Sequence, residues 1–199
     1  TQNAYPHLGL AYLQTEDKNK ARMAFEQASA LNHDAAIKEQ AAYNHALCIH
    51  ETSYSAFGES VLVFERFLNE FPSSAYVDKI SNYLVEVYLN TRSYDAALQS
   101  IDRITHPTRT VLEAKQKILF QLGTQQFTNA QFEQAASYFN QCLALGETHH
   151  PTLTEANYWM GETQYRMGQY DTAQSYFLRY LALEQSTANE TYALANYNL

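Results

Sequence analysis

The sequence reads as an all-α fold: a stack of helix pairs, about five of them, followed by the first helix of a sixth. Three observations point there. A small residue followed four positions later by a large apolar one recurs as Ala21/Phe25, Ser60/Phe64, Ala97/Ile101, Ala135/Phe139 and Ala173/Phe177. The small positions advance by 39, 37, 38 and 38 residues, and self-similarity at a period of roughly 20–50 residues marks a stacked-repeat architecture. Helix breakers are scarce, with 6 Gly and 4 Pro, and no stretch alternates with period two over a length that suits a strand.

The clearest unit is Asn157–Leu181. It reads as two helices around a turn at Gly168-Gln169. Glycine suits the left-handed residue that ends a helix, and Asp171 suits the first turn of the next. Ala173 is small where two backbones approach, and Phe177 lies on the same helical face. Three residues before the small position stands an aromatic, Phe57, Tyr94, Phe132 or Tyr170; only the first unit departs, with Lys18. On the leading helices Leu8-Gly9, Leu122-Gly123 and Met160-Gly161 hold equivalent places, and Leu84-Val85 varies them.

In chain order, the units span about 1–33, 34–72, 73–106, 107–148 and 149–186, with a partial one at 187–199. In unit one Asp17 is placed to cap the second helix. In unit two the first helix has two possible registers. One buries Tyr43, Ala46, Leu47 and His50, and a shift of one residue also works. Glu51 to Ser55 reads as an insertion, and Pro72-Ser73-Ser74 closes the unit, because proline cannot continue a helix and serine caps the next. Unit three has an inner stripe of Ile80, Leu84, Val87 and Tyr88. In unit four Asn129 is expected to replace the turn glycine, Gly146 to end the second helix, and Glu147 to Pro151 to form the longest polar connector. Ser186 to Asn189 reads as another turn, and Ala195 to Leu199 echoes Ala156 to Met160. The chain starts without Met and stops inside a helical pattern, as a piece of a longer protein would.

The pattern resembles the tetratricopeptide repeat family. Tyr5, Leu8, Gly9, Tyr12, Ala21, Phe25 and Ala28 match its large-x2-Leu-Gly-x2-Tyr and Ala-x3-Phe-x2-Ala motifs, while His33 replaces the proline. The likeness covers nearly the whole chain, although the period exceeds the family's ~34 residues. It implies a right-handed superhelical α-solenoid of antiparallel helix pairs. Phe64-x2-Phe67-Leu68-x2-Phe71-Pro72-x-Ser74 also looks like the subset of this family in bacterial cell-envelope assembly, which would imply a periplasmic setting.

Composition narrows the function classes. With 13 basic and 21 acidic residues the net charge is −8, and no basic stripe is present. Affinity for a phosphate backbone rests on clustered Lys and Arg, so no nucleic-acid partner is expected. No apolar run approaches ~18 residues, so no membrane span is expected. Cys48 and Cys142 fall in non-adjacent units, and repeats touch only their neighbours, which argues against a disulfide.

No phosphate-cradling glycine loop, Gly-x-Ser-x-Gly or His-Glu-x-x-His is present. His45 and Cys48 are three apart on one helix, a spacing a metal can use, but two ligands make no site and the plain alternative is packing in a helix interface. His149-His150 reads as a solvated connector. Glu155 and Glu162 share a helix face, as exposed acids commonly do. No catalytic residue, metal or cofactor is assigned.

The resemblance further implies that the leading helices line a groove. In unit three its positions fall on Lys79, Asn82, Tyr83, Glu86, Leu89 and Asn90. In unit four they fall on Lys117, Phe120, Gln121, Thr124, Phe127 and Thr128, and in unit five on Glu155, Tyr158, Trp159, Glu162, Tyr165 and Arg166. Exposed Tyr, Trp and Arg are what interface hot spots favour, and Asn side chains offer donor–acceptor pairs to a peptide backbone. The alternative for Phe120, Tyr158 and Trp159 is packing against the neighbouring helix. The expected function is a non-catalytic scaffold that takes a peptide or protein segment in the groove. The alternatives are a structural module that self-associates through its C-terminal end, or the accessory arm of an enzyme that lies outside this chain.

Overall fold

A computed structural model describes residues 3–52, 58–91, 93–183 and 190–197. Among the described residues there are no strands, and the helices are α1 (Ala4–Gln14), α2 (Lys18–Ala30), α3 (Ala35–Thr52), α4 (Glu59–Glu70), α5 (Val77–Asn90), α6 (Tyr94–Asp102), α7 (Arg109–Thr128), α8 (Phe132–Ala144), α9 (His150–Arg166), α10 (Tyr170–Leu183) and α11 (Glu190–Tyr197). They form an α-solenoid of helix pairs, as the repeat period implies. The chain divides into two compact units, Thr1–Val111 and Leu112–Leu199. Phe57, the Ser53–Ser55 end of the expected insertion, the Ser186–Asn189 turn and Leu199 lie outside the described residues.

One steric device recurs in both units. A Cβ built on Gly9 would stand 2.6 Å from the Phe25 ring, one on Gly123 2.6 Å from Phe139, and one on Gly161 2.7 Å from Phe177. Each of these leading helices lies so close to its partner that only hydrogen fits there. In α5 the equivalent residue is Val85, and there the partner at the same spacing is the smaller Ile101. The volume taken at one position is given up at the other.

In the first unit consecutive helices pack on each other from α1 to α5, and α4 also touches α6. The register of α3 is now fixed. Ala41, Tyr43, Ala46, Cys48 and Ile49 are buried, whereas Leu47 and His50 are only half-buried. This corrects the expected face. Because α3 is covered by α2 on one side and α4 on the other, its buried surface is wider than a single stripe. Cys48 joins Ala21 and Phe25 in one cluster. It stands before Phe64 by the same interval that separates Gly9 from Phe25.

The turns follow register rather than residue type. Asp17 caps α2 as expected, accepting from the Lys20 backbone N–H at 3.1 Å. The residue five places before Ala21, Ala135 and Ala173 is left-handed in each case: Glu16 (φ 60°), Ala130 (φ 57°) and Gly168 (φ 75°). Ala130 therefore carries the turn expected of Asn129. The geometry is fixed by where two helices must meet, and the chain accepts an alanine in a conformation that costs it about 1 kcal/mol.

Two buried polar groups hold successive pairs together. Glu65 on α4 is 5 % exposed. It accepts from Arg103 Nε and Nη2, both at 2.8 Å, and from the Ser100 hydroxyl. Ser100 has one proton and gives it to Glu65, so it accepts from the Tyr88 hydroxyl beside it. On the next turn of α4 the Asn69 amide donates to the Arg103 carbonyl at 2.8 Å and accepts from the Thr105 N–H at 2.7 Å.

In the second unit Gln116 does the same work from α7. Its side chain is wholly buried. Nε2 donates to the carbonyls of Cys142 (3.1 Å) and Gly146 (2.9 Å), and Oε1 accepts from the His149 N–H at 2.7 Å. It thus ties the end of α8 to the start of α9. Gly146, with φ 65°, ends α8 as expected. The connector after it is shorter than expected. His149 is the N-cap of α9, its ring nitrogen accepting from the Thr152 N–H at 3.4 Å, and His150 and Pro151 are already helical. Proline at the start of a helix costs nothing, because that N–H has no partner in any case.

Candidate functional site

The groove positions of the second unit fall on α7 and α9. Lys117, Phe120 and Gln121 from α7 and Pro151, Thr152 and Glu155 from α9 line a cavity of about 290 Å³. Its floor is apolar: the Phe120 ring sits 6.0 Å from that of buried Phe139. Its rim carries one cation, Lys117, one acid, Glu155, and the exposed amide of Gln121. Pro151, expected in the connector, belongs to the site together with Thr152, because α9 starts earlier than the apolar pattern shows. The signal that locates them is the proline itself, favoured in a first helical turn.

Further along the face, Thr124 is half-buried and donates to the Gln121 carbonyl at 3.0 Å. Tyr165 and Arg166 are exposed, and Tyr165 meets Tyr170 edge-on with ring centres 5.4 Å apart. Glu162 is half-buried and is hydrogen-bonded by the hydroxyl of Tyr158.

Two of the aromatic candidates take the packing role instead. Tyr158 is 6 % exposed and clusters with Ala173, Phe177, Tyr180 and Ala195. Burial, with the neighbouring Glu162 charge, pushes its hydroxyl up to about 12. It is therefore buried rather than exposed, with its hydroxyl against Glu162. Trp159 is half-buried and stands edge-on to Phe127 at 5.2 Å and to Tyr158 at 5.6 Å. It packs on two apolar clusters of the unit, so the only tryptophan wedges one helix pair against the next.

In the first unit the corresponding positions are Asn82 and Glu86, both exposed, and half-buried Tyr83. The Tyr83 ring lies nearly parallel to Phe64 at 6.0 Å and is 5.2 Å from His50. Lys79 stands 5.6 Å from the centre of the Tyr43 ring, and its amine is pushed up mainly by the hydrogen bond it makes to that tyrosine. Cys48, which shares a helix with His45, packs with Ala21 and Phe25. Among the described residues no three His, Cys, Asp or Glu side chains are grouped to hold a metal. Nor is any described helix long and apolar enough to cross a membrane.

Family profiles described as tetratricopeptide repeat match residues 155–186 and 3–37. The chain carries tetratricopeptide repeats. The two matches lie at opposite ends of the repeat series and coincide with α9/α10 and α1/α2, two of the pairs that show the Gly–Phe contact. No curated protein sequence matches the chain. Among solved structures it is similar to MamA of Desulfovibrio magneticus RS-1 from residue 41 to its end, at 16% identity over 94% of this chain and 97% of that one, TM-score 0.39. It is also similar to MamA AMB-1, at 21% over 97% and 96%, TM-score 0.39. A third is a thermophilic repeat protein of Thermus thermophilus, at 16% over 100% and 98%, TM-score 0.39. At these scores the assignment rests on the matched repeats alone. As tetratricopeptide repeats they make a protein–protein interaction scaffold, a module that is in general non-catalytic.

Proposed function

We propose that the α7/α9 face binds an extended segment of a protein partner. The cavity between Lys117 and Glu155 carries this reading. It has an apolar floor, an acid and a base on its rim, and the exposed Gln121 amide to pair with a backbone. An extended peptide offers such a site one apolar side chain for the floor, with polar main-chain groups on either side. Gln121, Thr124, Glu162, Tyr165 and Arg166 prolong the polar track along both helices. Asn82, Tyr83 and Glu86 are the matching positions of the first unit.

The experiment is a selection of peptides from a random library against the intact chain, followed by affinity measurements on variants. Lys117→Glu and Gln121→Ala alter exposed or half-exposed side chains and leave the packing alone. Each is expected to weaken selected peptides by about tenfold, the value of one or two hydrogen bonds. Undiminished binding to both variants would remove the α7/α9 face from the account. Tyr158→Ala and Trp159→Ala are poor tests, because they open the core. Self-association through α11 is a second reading, favoured by Leu194 and Tyr197, which are exposed there. Light scattering over a concentration series decides it, since a strict monomer rejects that reading.

A further inference from the structure

A second cavity, of about 300 Å³, lies in the first unit among α2, α3 and α4. Its floor is apolar, formed by Ala42 and the buried ring of Phe67, and four charges surround it: Glu26, Lys38, Arg66 and Glu70. Lys38 and Glu70 neutralise each other at 2.5 Å. That leaves Arg66 and Glu26, both exposed, and among the described residues neither makes an ion pair. Half-buried His45 also lines the cavity, and both charges act on its ring, Glu26 favouring the protonated form and Arg66 opposing it. Burial holds the ring neutral at pH 7, so it offers one donor and one acceptor.

From this arrangement we infer that the cavity is a binding site for a small zwitterion with an apolar body, in the size class of a free aliphatic or aromatic α-amino acid. The charge pattern selects this class. A plain anion meets Glu26 and Glu70, and a plain cation meets Arg66 and Lys38. A ligand with carboxylate and ammonium on one carbon answers both unpaired groups. Arg66 takes the carboxylate with His45 as a further donor, Glu26 takes the ammonium, and the side chain covers Phe67 and Ala42. The volume suits one such molecule and excludes a folded partner. The site lies in the first unit, whereas the α7/α9 face lies in the second, so it is independent of the peptide-binding proposal.

The test is isothermal titration calorimetry of the full chain at pH 7 with L-leucine and L-phenylalanine. Isocaproate and isoamylamine serve as controls that keep the leucine frame but lack one charge each. Saturable binding is expected for at least one amino acid, with a dissociation constant at or below about 1 mM for so few atoms, and each control about tenfold weaker or more. Arg66→Ala and Glu26→Gln should each weaken the amino acid by about tenfold, with circular dichroism unchanged because both side chains are exposed, and Lys117→Ala should bind as the wild type does. Absence of saturation by either amino acid, equal binding of a control, or full binding by both variants would overturn the assignment.

Discussion

The glycine-to-phenylalanine contact is the most direct perturbation of the repeat. In Gly161→Ala the new methyl would lie 2.7, 2.8 and 3.1 Å from three ring atoms of Phe177. Carbon pairs settle at about 3.5–4.0 Å, so either the ring or the helix must retreat by roughly 0.5–1 Å. The ring has nowhere to go, since Phe177 is fully buried and pressed by Tyr158 at 5.9 Å between ring centres. Overpacking of this kind costs about 1–3 kcal/mol, while replacing a mid-helix glycine by alanine returns up to about 1 kcal/mol. The expected net loss is about 1–2 kcal/mol. Phe177→Ile alone leaves a void and costs about 1–3 kcal/mol. The double variant moves toward the Val85/Ile101 compromise already present in α5 and α6, a larger residue facing a smaller one, so the two losses should not add. A coupling of at least about 1 kcal/mol is expected. Urea unfolding followed by far-ultraviolet circular dichroism, for wild type, both singles and the double, measures it. A Gly161→Ala protein as stable as the wild type, or a coupling of zero, would refute the steric reasoning.

Three further outcomes follow from named contacts. Gln116→Ala strands two carbonyls and one N–H between α8 and α9, and should cost about 2–4 kcal/mol in urea unfolding. Ala130→Gly relieves a left-handed alanine, and should stabilise by about 0.5–1 kcal/mol in the same assay, although the methyl it removes is exposed. Burial lowers the His45 ring below its ordinary 6.5 in the folded chain, with Arg22 and Arg66 adding to the effect and Glu26 and Glu59 opposing it. The unfolded chain then binds the proton more readily, so stability is complete above pH 6.5 and falls as pH drops through the window between 6.5 and the lower folded value. Urea midpoints between about pH 7.5 and pH 5.5 should fall more in the wild type than in His45→Gln, and an equal fall in both would contradict this sign.

Much of the fold was legible because the repeat writes its sterics into residue size. Gly9, Gly123 and Gly161, with the phenylalanines that follow them, mark where helices touch, and Asp17 marks a cap. Register along a helix was less legible. Tyr158 and Trp159 are adjacent in sequence but about 100° apart around the axis, and which one enters the seam depends on the next helix pair. Asn129 has the better intrinsic preference for a left-handed turn, yet Ala130 occupies it because the interval to Ala135 fixes the position. Glu65 and Gln116 look like surface residues in sequence. Their partners are distant in sequence: Arg103 lies 38 residues beyond Glu65, and the Cys142–His149 stretch lies 26 to 33 residues beyond Gln116. Opposite charges spaced near the repeat period, such as Arg22 with Glu59 at 2.7 Å, are a signal that finds such staples once the period is known.

Site-specific photo-crosslinking tests the central claim most directly. A benzophenone-bearing residue placed at Gln121, exposed on α7, is compared with one at Gln141, exposed on α8, in extracts of the source cells and with the selected peptides. The account expects covalent capture of protein or peptide from position 121 and little from position 141, with the position-121 product lost in Lys117→Glu. Capture from position 141 alone, or equal capture from both that survives Lys117→Glu, would contradict it.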